Sequence, residues 1–164
     1  MPTLLQKSIT IAVRAHRRSE DPPGEPYILH PMRVLLALSQ SDDAHQNENL
    51  RCVAILHDVL ERTNVTLAAL KSAGLPKPII KAVQLLTHDA KTTYADYIIH
   101  LKPNPLAAAV KIADLQDNAD LRRITFRASK SKDRKRIIRY AASYKFLIDQ
   151  ITKKAYRKLM KHGE

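Results

Sequence analysis

A histidine and an aspartate stand side by side in the apolar stretch AILHDVLERT, residues 54–63. Apolar residues recur around them at helical spacing and are too numerous for an exposed helix, so His57 and Asp58 start from a buried or half-buried surface. Burial of a carboxylate without a partner is strongly unfavourable. Asp58 therefore needs a cation or dedicated hydrogen-bond donors, and a capped, salt-bridged His-Asp pair is one way to supply them.

A second carboxylate, Asp114, follows an equally apolar stretch, AAAVKIA, at residues 107–113. Two imidazoles and two carboxylates around one ion would stabilise both acids, with His30 and His57 as the nitrogen ligands. Adjacent residues on a helix point about 100° apart, so such a site needs ligands from several helices. A mixed nitrogen and oxygen set favours a first-row divalent ion such as Mn²⁺ or Fe²⁺ over a closed tetrahedral zinc site.

Apolar residues recur at intervals of three and four along nearly the whole chain of 164 residues, and period-two alternation is rare. The pattern predicts an all-α fold, a bundle of about eight helices that forms one domain over residues 1–164. We expect helices at about residues 3–16, from His30-Pro31 onward, and at 47–62, 66–74, 77–87, 93–101, 105–118 and 132–160.

The net charge of +12 lies entirely in the last part of the chain. Residues 1–121 carry 13 Lys and Arg against 13 Asp and Glu, whereas residues 122–164 carry 15 against 3. This basic C-terminal helical segment favours an anionic partner, either a nucleotide polyphosphate, a nucleic acid or an acidic surface, or it is a solvated helix face. Nucleic acid is the less favoured partner because no known binding motif accompanies the charge.

The sequence also carries signals about location. No apolar run approaches the ~20 residues needed to cross a bilayer, and the first residues are typical of an amphipathic helix rather than a signal peptide. The single cysteine, Cys52, allows no internal disulfide. We expect a cytoplasmic protein without a membrane partner, and the pattern does not indicate an oligomeric state.

Three stretches, in order, resemble the HD hydrolase superfamily: GEPYILHP at residues 24–31, AILHDVLERT at 54–63 and VKIADLQDN at 110–118. They are most similar to the hydrolase domain of the RelA/SpoT alarmone enzymes and to the small alarmone hydrolases. The resemblance implies an HD-domain helical bundle around a single metal site. It also implies hydrolysis of the 3′-diphosphate of a guanosine tetra- or pentaphosphate.

The resemblance assigns roles to the residues around the His-Asp pair. It implies that one Mn²⁺ is held by His30, His57, Asp58 and Asp114. Glu61 falls where the family places the catalytic carboxylate that orients or deprotonates the attacking water. Its position one helical turn beyond His57 suits this role, because a nearby ion lowers the pKa of water towards ~7.

Substrate contacts are implied at further positions. Asn118 matches the family asparagine that contacts substrate, and it lies one turn beyond Asp114. Tyr140 lies near the position of a family tyrosine that touches phosphate. Lys111 precedes Asp114 by three residues, so we expect it beside the site and near a phosphate.

One departure from the family concerns the residue after Glu61. The family usually has an aspartate there, whereas this chain has Arg62. Arg62 could pair with Asp58 one turn away, act on a substrate phosphate through its bidentate fork, or be an exposed arginine. If the missing acid is essential, the protein is a slow enzyme or takes a different substrate.

A second departure concerns the base of the nucleotide. The family's Arg-Lys pair, which stacks on the purine, is replaced by Asp21 and Pro22, so Arg17 or Arg18 would have to compensate. The family's arginine after the last metal ligand is Leu115 here. An adenosine alarmone or a phosphorylated dinucleotide such as NADPH is therefore a serious alternative substrate. A metal-bearing nucleotide-binding protein with little activity is a further alternative.

Overall fold

The computed structural model describes residues 2–21, 24–38, 44–120 and 131–161, with side chains at 2–20, 24–38, 48–120 and 134–161. The helices within these residues are α1 (Leu4–Ala15), α2 (Leu29–Ala37), α3 (Ala44–Leu56), α4 (Val59–Arg62), α5 (Leu67–Ser72), α6 (Lys77–Leu86), α7 (Tyr94–Leu101), α8 (Pro105–Asn118), α9 (Ser131–Leu147) and α10 (Lys153–Lys161). A two-residue antiparallel pair, β1 (Glu20–Asp21) with β2 (Glu25–Pro26), precedes α2. The predicted all-α fold is confirmed.

Several helix ends follow from their local sequence. Thr3 and Gln6 form a capping box at the start of α1, each side chain accepting from the backbone N–H of the other residue. The Thr66 hydroxyl accepts from the third residue of α5, and Asn104 caps α8 in the same way. Gly74, with φ +78°, supplies the left-handed backbone after α5. The predicted boundaries at Thr66 and Gly74 are therefore confirmed.

Helix α3 lies at the centre of the fold and packs against α1, α2, α6 and α8. Its last turns, from Cys52 to Leu56, are buried on every side, which explains why the sequence there lacks a polar face. Helix α8 packs against α2, α3 and α6 as well as α9. The end of α3, the start of α2 and the end of α8 therefore meet inside the bundle.

The predicted helix over residues 47–62 is wrong in one respect, because it is interrupted. Helix α3 ends at Leu56 and α4 begins at Val59, with His57 and Asp58 in the turn between them. Neighbouring side chains diverge by about 100° on a regular helix, but here His57 Nε2 and Asp58 Oδ2 lie 3.5 Å apart. The interruption lets both side chains reach the same point.

The predicted single helix over residues 132–160 is also wrong, because the structure has two helices, α9 and α10. Asp149 between them has φ +61°, a left-handed conformation that a helix cannot continue through. The Lys102 ammonium donates to the Phe146 carbonyl and to Asp149 Oδ1, each at 2.5 Å. Helix α10 then packs back on α9, where the Tyr156 ring stacks on Phe146 at 4.6 Å.

The basic segment predicted over residues 122–164 lies partly outside the described residues, at 122–130 and 162–164. Its described part forms α9 and α10. Among the helices that the structure describes, each is too short or too polar to span a bilayer.

Candidate metal centre

Three buried side chains converge where α2, α3 and α8 meet: His30, His57 and Asp114. Their potential ligand atoms all lie within 4.8 Å of one another. His30 Nε2 lies 3.2 Å from His57 Nε2 and 3.2 Å from Asp114 Oδ1. Residues separated by up to 84 positions, the spacing of His30 and Asp114, thus present ligand atoms to a single point.

The hydrogen bonds of the two Nδ1 atoms determine whether each Nε2 atom carries a proton or a free lone pair. His30 Nδ1 lies 2.7 Å from Asp117 Oδ2, and His57 Nδ1 lies 2.7 Å from the Ala54 carbonyl oxygen. Because these oxygens accept, both Nδ1 atoms donate, and neutral rings leave two Nε2 lone pairs facing each other. Lone pairs and a carboxylate oxygen at such distances repel unless a cation neutralises them. The donor set therefore fits a divalent metal ion.

Without a metal, a proton on His30 takes part of this role. Burial opposes the charge, but hydrogen bonds with Asp114 and Asp117 outweigh burial and raise the pKa of His30 to about 9. Burial also opposes ionisation of Asp114, whereas the nearby Lys111 ammonium and His30 hold the pKa of that carboxyl well below its usual range. The centre therefore holds its carboxylate ionised.

Asp58 lies at the edge of this cluster. Its Oδ2 is 3.5 Å from His57 Nε2 and 3.9 Å from His30 Nε2, and it is not one of the three residues whose ligand atoms fit within 4.8 Å. The Tyr27 hydroxyl donates to the same oxygen. Burial disfavours the charge on Asp58, but His57, His30 and Tyr27 keep the pKa of its carboxyl below the usual range.

The two predicted substrate contacts on α8, Lys111 and Asn118, both donate to Asp114. The Lys111 ammonium lies 2.8 Å from Asp114 Oδ2, and the Asn118 amide donates to Oδ1 at 2.5 Å. Lys111 is largely buried, with its ammonium 5.8 Å from the centroid of the Tyr94 ring and 5.3 Å from that of Tyr97. Burial lowers and Asp114 raises the pKa of Lys111, and the carboxylate prevails.

Glu61 and Arg62 lie on the four-residue helix α4 and are exposed. Glu61 Oε2 accepts from the backbone N–H of His88 at 2.9 Å. Arg62 Nε lies 3.2 Å from Asp58 Oδ2, and its guanidinium carbon lies 4.7 Å from the centroid of the Tyr27 ring. The structure thus shows Arg62 both exposed and paired with Asp58.

Comparison with known proteins identifies the family. No protein-family model matches the chain. The chain is 28% identical over 122 residues, or 70% of its length, to the guanosine-3′,5′-bis(diphosphate) 3′-pyrophosphohydrolase of Aquifex aeolicus, of which it spans 17%. It is 32% identical over 130 residues to the guanosine-3′,5′-bis(diphosphate) 3′-pyrophosphohydrolase MESH1 of Danio rerio, covering 74% of this chain and 71% of that protein.

The chain belongs to the HD-type guanosine-3′,5′-bis(diphosphate) 3′-pyrophosphohydrolase family. A solved structure agrees with it in fold, with a TM-score of 0.70, 20% identity, and coverage of 99% of this chain and 95% of that one. That structure is described as a metazoan orthologue of SpoT that hydrolyses ppGpp. At this identity the likeness shows that this pyrophosphohydrolase-family chain has the HD fold.

Sequence analysis does not single out two residues that orient His30 in this family member. The carboxylate of Asp117 accepts from Arg33 through Nε at 2.7 Å and through a terminal nitrogen at 3.1 Å. Burial opposes ionisation, but His30 and Arg33 hold the pKa of Asp117 below its usual range. The sequence contained a signal for this pair, because Arg33 follows His30 and Asp117 follows Asp114 by three residues on a helix. That spacing places each residue on the same helix face as the predicted ligand.

Two further predicted site residues of this HD-family chain, Arg18 and Tyr140, are not among the clustered residues. Arg18 is exposed and lines a groove that Arg62 also lines. Tyr140 is half-buried on α9, its ring centroid 5.9 Å from the Arg139 guanidinium carbon. Asp21 belongs to β1, and its side chain is outside the described residues.

His16 adds an unsatisfied group to the same region. It is only 2% exposed, its ring lies 4.9 Å from that of Tyr27, and neither ring nitrogen has a hydrogen-bond partner among the described residues. Burial lowers the pKa of His16 to about 4. A buried imidazole of this kind is neutral at pH 7.

Proposed function

We propose that the chain is a metal-dependent pyrophosphohydrolase that removes the 3′-diphosphate of an alarmone, in its guanosine or adenosine form. Its family relatives are named for hydrolysis of guanosine-3′,5′-bis(diphosphate). We further propose that His30, His57, Asp58 and Asp114 hold the ion and that this ion is manganese. The cytoplasm as the location and a single domain over residues 1–164 belong to the same proposal.

One observation carries the proposal. The Nε2 atoms of His30 and His57 lie 3.2 Å apart beside Asp114, while both Nδ1 atoms are engaged by oxygen acceptors. A metal site requires several lone pairs that point at one position beside a carboxylate. An ion pair with only a structural role does not require this arrangement. When bound there, a divalent ion would polarise a phosphoryl oxygen and acidify a water molecule.

The chain's own residues supply the rest of the chemistry. Water attacks the phosphorus attached to the 3′ oxygen of the ribose, the bond between that phosphorus and the 3′ oxygen breaks, and pyrophosphate and a 3′-hydroxyl form. Glu61 takes a proton from the attacking water, with its Oε2 oriented by the His88 N–H. Asn118 and Lys111 keep Asp114 ionised and in place. The departing 3′ oxygen takes up a proton from solvent as the bond breaks, and Glu61 releases to solvent the proton that it took from the attacking water.

The test is release of pyrophosphate by the purified chain with Mn²⁺. The panel is guanosine 3′,5′-bis(diphosphate), its adenosine counterpart, NADPH and GTP. We expect pyrophosphate from the first two, no turnover after chelation, and no turnover by Asp114→Asn. Absence of product from the whole panel with Mn²⁺, Fe²⁺ or Mg²⁺ would overturn the proposal, and release of phosphate from NADPH alone would replace the alarmone with a dinucleotide.

A second candidate, a nucleotide-binding protein with little activity, is favoured by Arg62. Its Nε lies 3.2 Å from Asp58 Oδ2, at a position where the family usually has an acid. A cation paired with a proposed metal ligand competes with the ion for that carboxylate. Tight binding of the bis(diphosphate) with no product on prolonged incubation would support this alternative, and rapid turnover would exclude it.

A further inference from the structure

The two imidazoles of the candidate metal centre have different acceptors for their Nδ1 protons. His57 Nδ1 lies 2.7 Å from the carbonyl oxygen of Ala54, a neutral group one turn earlier in the chain. His30 Nδ1 lies 2.7 Å from Oδ2 of Asp117, a carboxylate that is 87 positions away and belongs to α8. A hydrogen bond to a charged acceptor is about twice as strong as one to a neutral acceptor. The chain therefore holds the His30 ring more firmly than the His57 ring.

Asp117 is itself held by Arg33. The Arg33 Nε donates to Asp117 Oδ1 at 2.7 Å, and a terminal nitrogen of the same guanidinium donates to Oδ2 at 3.1 Å. Such a planar fork of donors fits a carboxylate in one orientation only. The side chain of Asp117 is 10% exposed, and that of Arg33 is 38% exposed. The orientation of the carboxylate behind His30 is therefore fixed by groups of the protein.

Each carboxylate around the centre has a cation of its own. The three pairs are Lys111 with Asp114, Arg62 with Asp58, and Arg33 with Asp117. The first two carboxylates are proposed ligands of the ion. Asp117 differs from them, because it accepts from Nδ1 of His30, whereas the centre lies at Nε2 on the other side of the ring. Asp117 is therefore placed to act on the ion through His30 and not as a ligand.

A carboxylate that accepts from a ligand histidine affects metal binding in two ways. It fixes the tautomer, so that the opposite nitrogen carries the lone pair, and it increases the donor strength of that nitrogen. Removal of such a partner typically weakens metal binding by about 10- to 100-fold. In this chain the opposite nitrogen is His30 Nε2, which lies 3.2 Å from His57 Nε2 and 3.2 Å from Asp114 Oδ1.

A second arginine–aspartate pair between helices provides a contrast. Arg157 on α10 lies 2.7 Å from Oδ1 of Asp96 on α7, the same distance as that between Arg33 Nε and Asp117 Oδ1. Both of its side chains are about half exposed, at 52% and 47%. This pair joins two helices that carry none of the proposed ligands. It is therefore a matched control for the loss of an ion pair between helices.

We propose that Asp117 and Arg33 are positioning residues that set the affinity of the centre for its ion. Asp117 acts through His30, and Arg33 acts through Asp117 by holding its carboxylate in place. The inference rests on the metal site of the proposed function but not on the identity of the substrate. A pair with only a structural role between α2 and α8 would stabilise the fold and leave the affinity for metal unchanged.

The test measures Mn²⁺ binding in the absence of substrate. Electron paramagnetic resonance of the free ion during a titration gives the dissociation constant of each variant. We expect Asp117→Ala to bind Mn²⁺ about 10- to 100-fold more weakly than wild-type protein and Arg33→Gln about three- to tenfold more weakly. Arg33→Gln/Asp117→Ala should match Asp117→Ala alone, because the arginine acts through the carboxylate. The control Arg157→Gln/Asp96→Asn should bind Mn²⁺ like wild-type protein.

Nuclear magnetic resonance of the chain loaded with Zn²⁺, a d¹⁰ ion, adds a readout that a structural role would not change. The Nδ1 proton of His30 should resonate at lower field than that of His57, because its acceptor is charged. Asp117→Asn keeps an acceptor oxygen but removes the charge. This variant should move the His30 proton towards higher field and leave the His57 proton where it is.

Three outcomes would overturn the inference: an unchanged Mn²⁺ affinity in Asp117→Ala, an equal loss in the control variant, or losses in Arg33→Gln and Asp117→Ala that multiply in the double variant. Thermal melts check that the variants are folded. Should Asp117→Ala not fold, Arg33→Gln and Asp117→Asn replace it, and unchanged affinity in both would overturn the inference. Wild-type protein that binds Mn²⁺ but releases no pyrophosphate would contradict the proposed activity alone.

Discussion

The candidate site has two halves with different construction. The buried half has six members, which lie on α2 and α8 and directly after α3, and the structure gives each of these side chains a hydrogen bond or ion pair with another member: His30, His57, Lys111, Asp114, Asp117 and Asn118. The open half consists of Asp58 and α4, where Glu61 and Arg62 are exposed.

The two halves differ in how firmly their side chains are held in place. Packed helices hold the buried half in one arrangement, since any misplaced group there would leave a charge without a partner. The open half includes α4, a helix of four residues that is too short to be stable by itself. In this half, Arg62 takes the position where the family usually has an acid. Under the proposed function, the buried half would therefore supply three of the four ligands of the ion, and the open half would supply Asp58 and the residues that face the substrate.

The largest expected effect comes from the buried half. Asp114→Asn keeps the shape of the side chain but removes the negative charge that Lys111 and His30 surround. We expect loss of stoichiometric Mn²⁺ binding and at least a ~10³-fold loss of turnover. Metal content after desalting and the rate of pyrophosphate release measure the two effects.

Two further variants control this result. Asp96→Asn changes an exposed carboxylate outside the site and should retain the metal. Because the buried charge on Lys111 could destabilise Asp114→Asn, His57→Gln provides a ligand variant without that problem, and it should also lose the metal. Full metal occupancy in both ligand variants would contradict the division into two halves.

Glu61→Gln in the open half should give the next largest effect. The amide oxygen still accepts from the His88 N–H, but the side chain no longer takes a proton from water. We expect kcat to fall about 10²–10³-fold with Mn²⁺ still bound. Steady-state kinetics together with metal content separate this variant from Asp114→Asn, and Glu25→Gln, an exposed glutamate in β2, is the control. An unchanged kcat would mean that the open half does not perform proton transfer.

The buried His16, which packs against Tyr27 next to the open half, leads us to expect a dependence of stability on pH. Burial lowers the pKa of His16 from 6.5 to about 4. Below pH 6.5 the unfolded chain therefore takes up a proton that the folded chain does not, and the free energy of unfolding decreases by about 3 kcal/mol as the pH falls from 6.5 to 4.

Urea unfolding of the metal-free protein at a series of pH values measures this effect. His16→Phe, which can still pack against Tyr27, should remove most of the decrease, whereas the exposed His100→Gln should not. His30 does not interfere, because its pKa of about 9 makes its contribution change above pH 6.5. An identical pH profile for wild-type protein and His16→Phe would assign the acid sensitivity to another group.

The smallest expected effect is that of Arg62→Gln on metal affinity. Arg62 is 53% exposed and pairs with Asp58. Because this pair would compete with an ion that Asp58 binds, removal of the arginine should raise the Mn²⁺ affinity by about threefold after solvent screening is considered. Arg157→Gln is a matched control, since that arginine is 52% exposed and pairs with Asp96. A lower affinity in Arg62→Gln would mean that the arginine positions Asp58 as a ligand rather than competing for it.

Much of the fold could be predicted from local patterns. Thr66 and Gly74 bound α5, and Pro105 begins α8, because caps and prolines act within one or two turns. The two wrong helices show the limit of this approach. The helices are interrupted at residues 57–58 and 148–152, although the apolar periodicity of the sequence continues through both segments. The interruptions depend on contacts with residues distant in sequence, such as that between Lys102 and Asp149.

In the site, His30, His57 and Asp114 were predicted from the sequence, and the structure brings them together. The contacts of Lys111 and Asn118 with Asp114 were harder to predict, because a lysine or an asparagine one turn from a carboxylate can face either that carboxylate or a ligand. Their contacts with substrate stay a prediction. The supporting pair of Arg33 and Asp117 joins α2 to α8. Such a contact depends on how two helices pack and has no local signature.

The sequence by itself determined the helical class and the residues that need a cation, because both depend on the spacing of apolar and ionisable side chains along one helix. Only the tertiary structure decided which nitrogen of each imidazole faces the centre, and that Arg62 pairs with Asp58. The physical reason is that electrostatic interactions depend on distance through space, and residues far apart in the chain acquire that distance only when the helices pack.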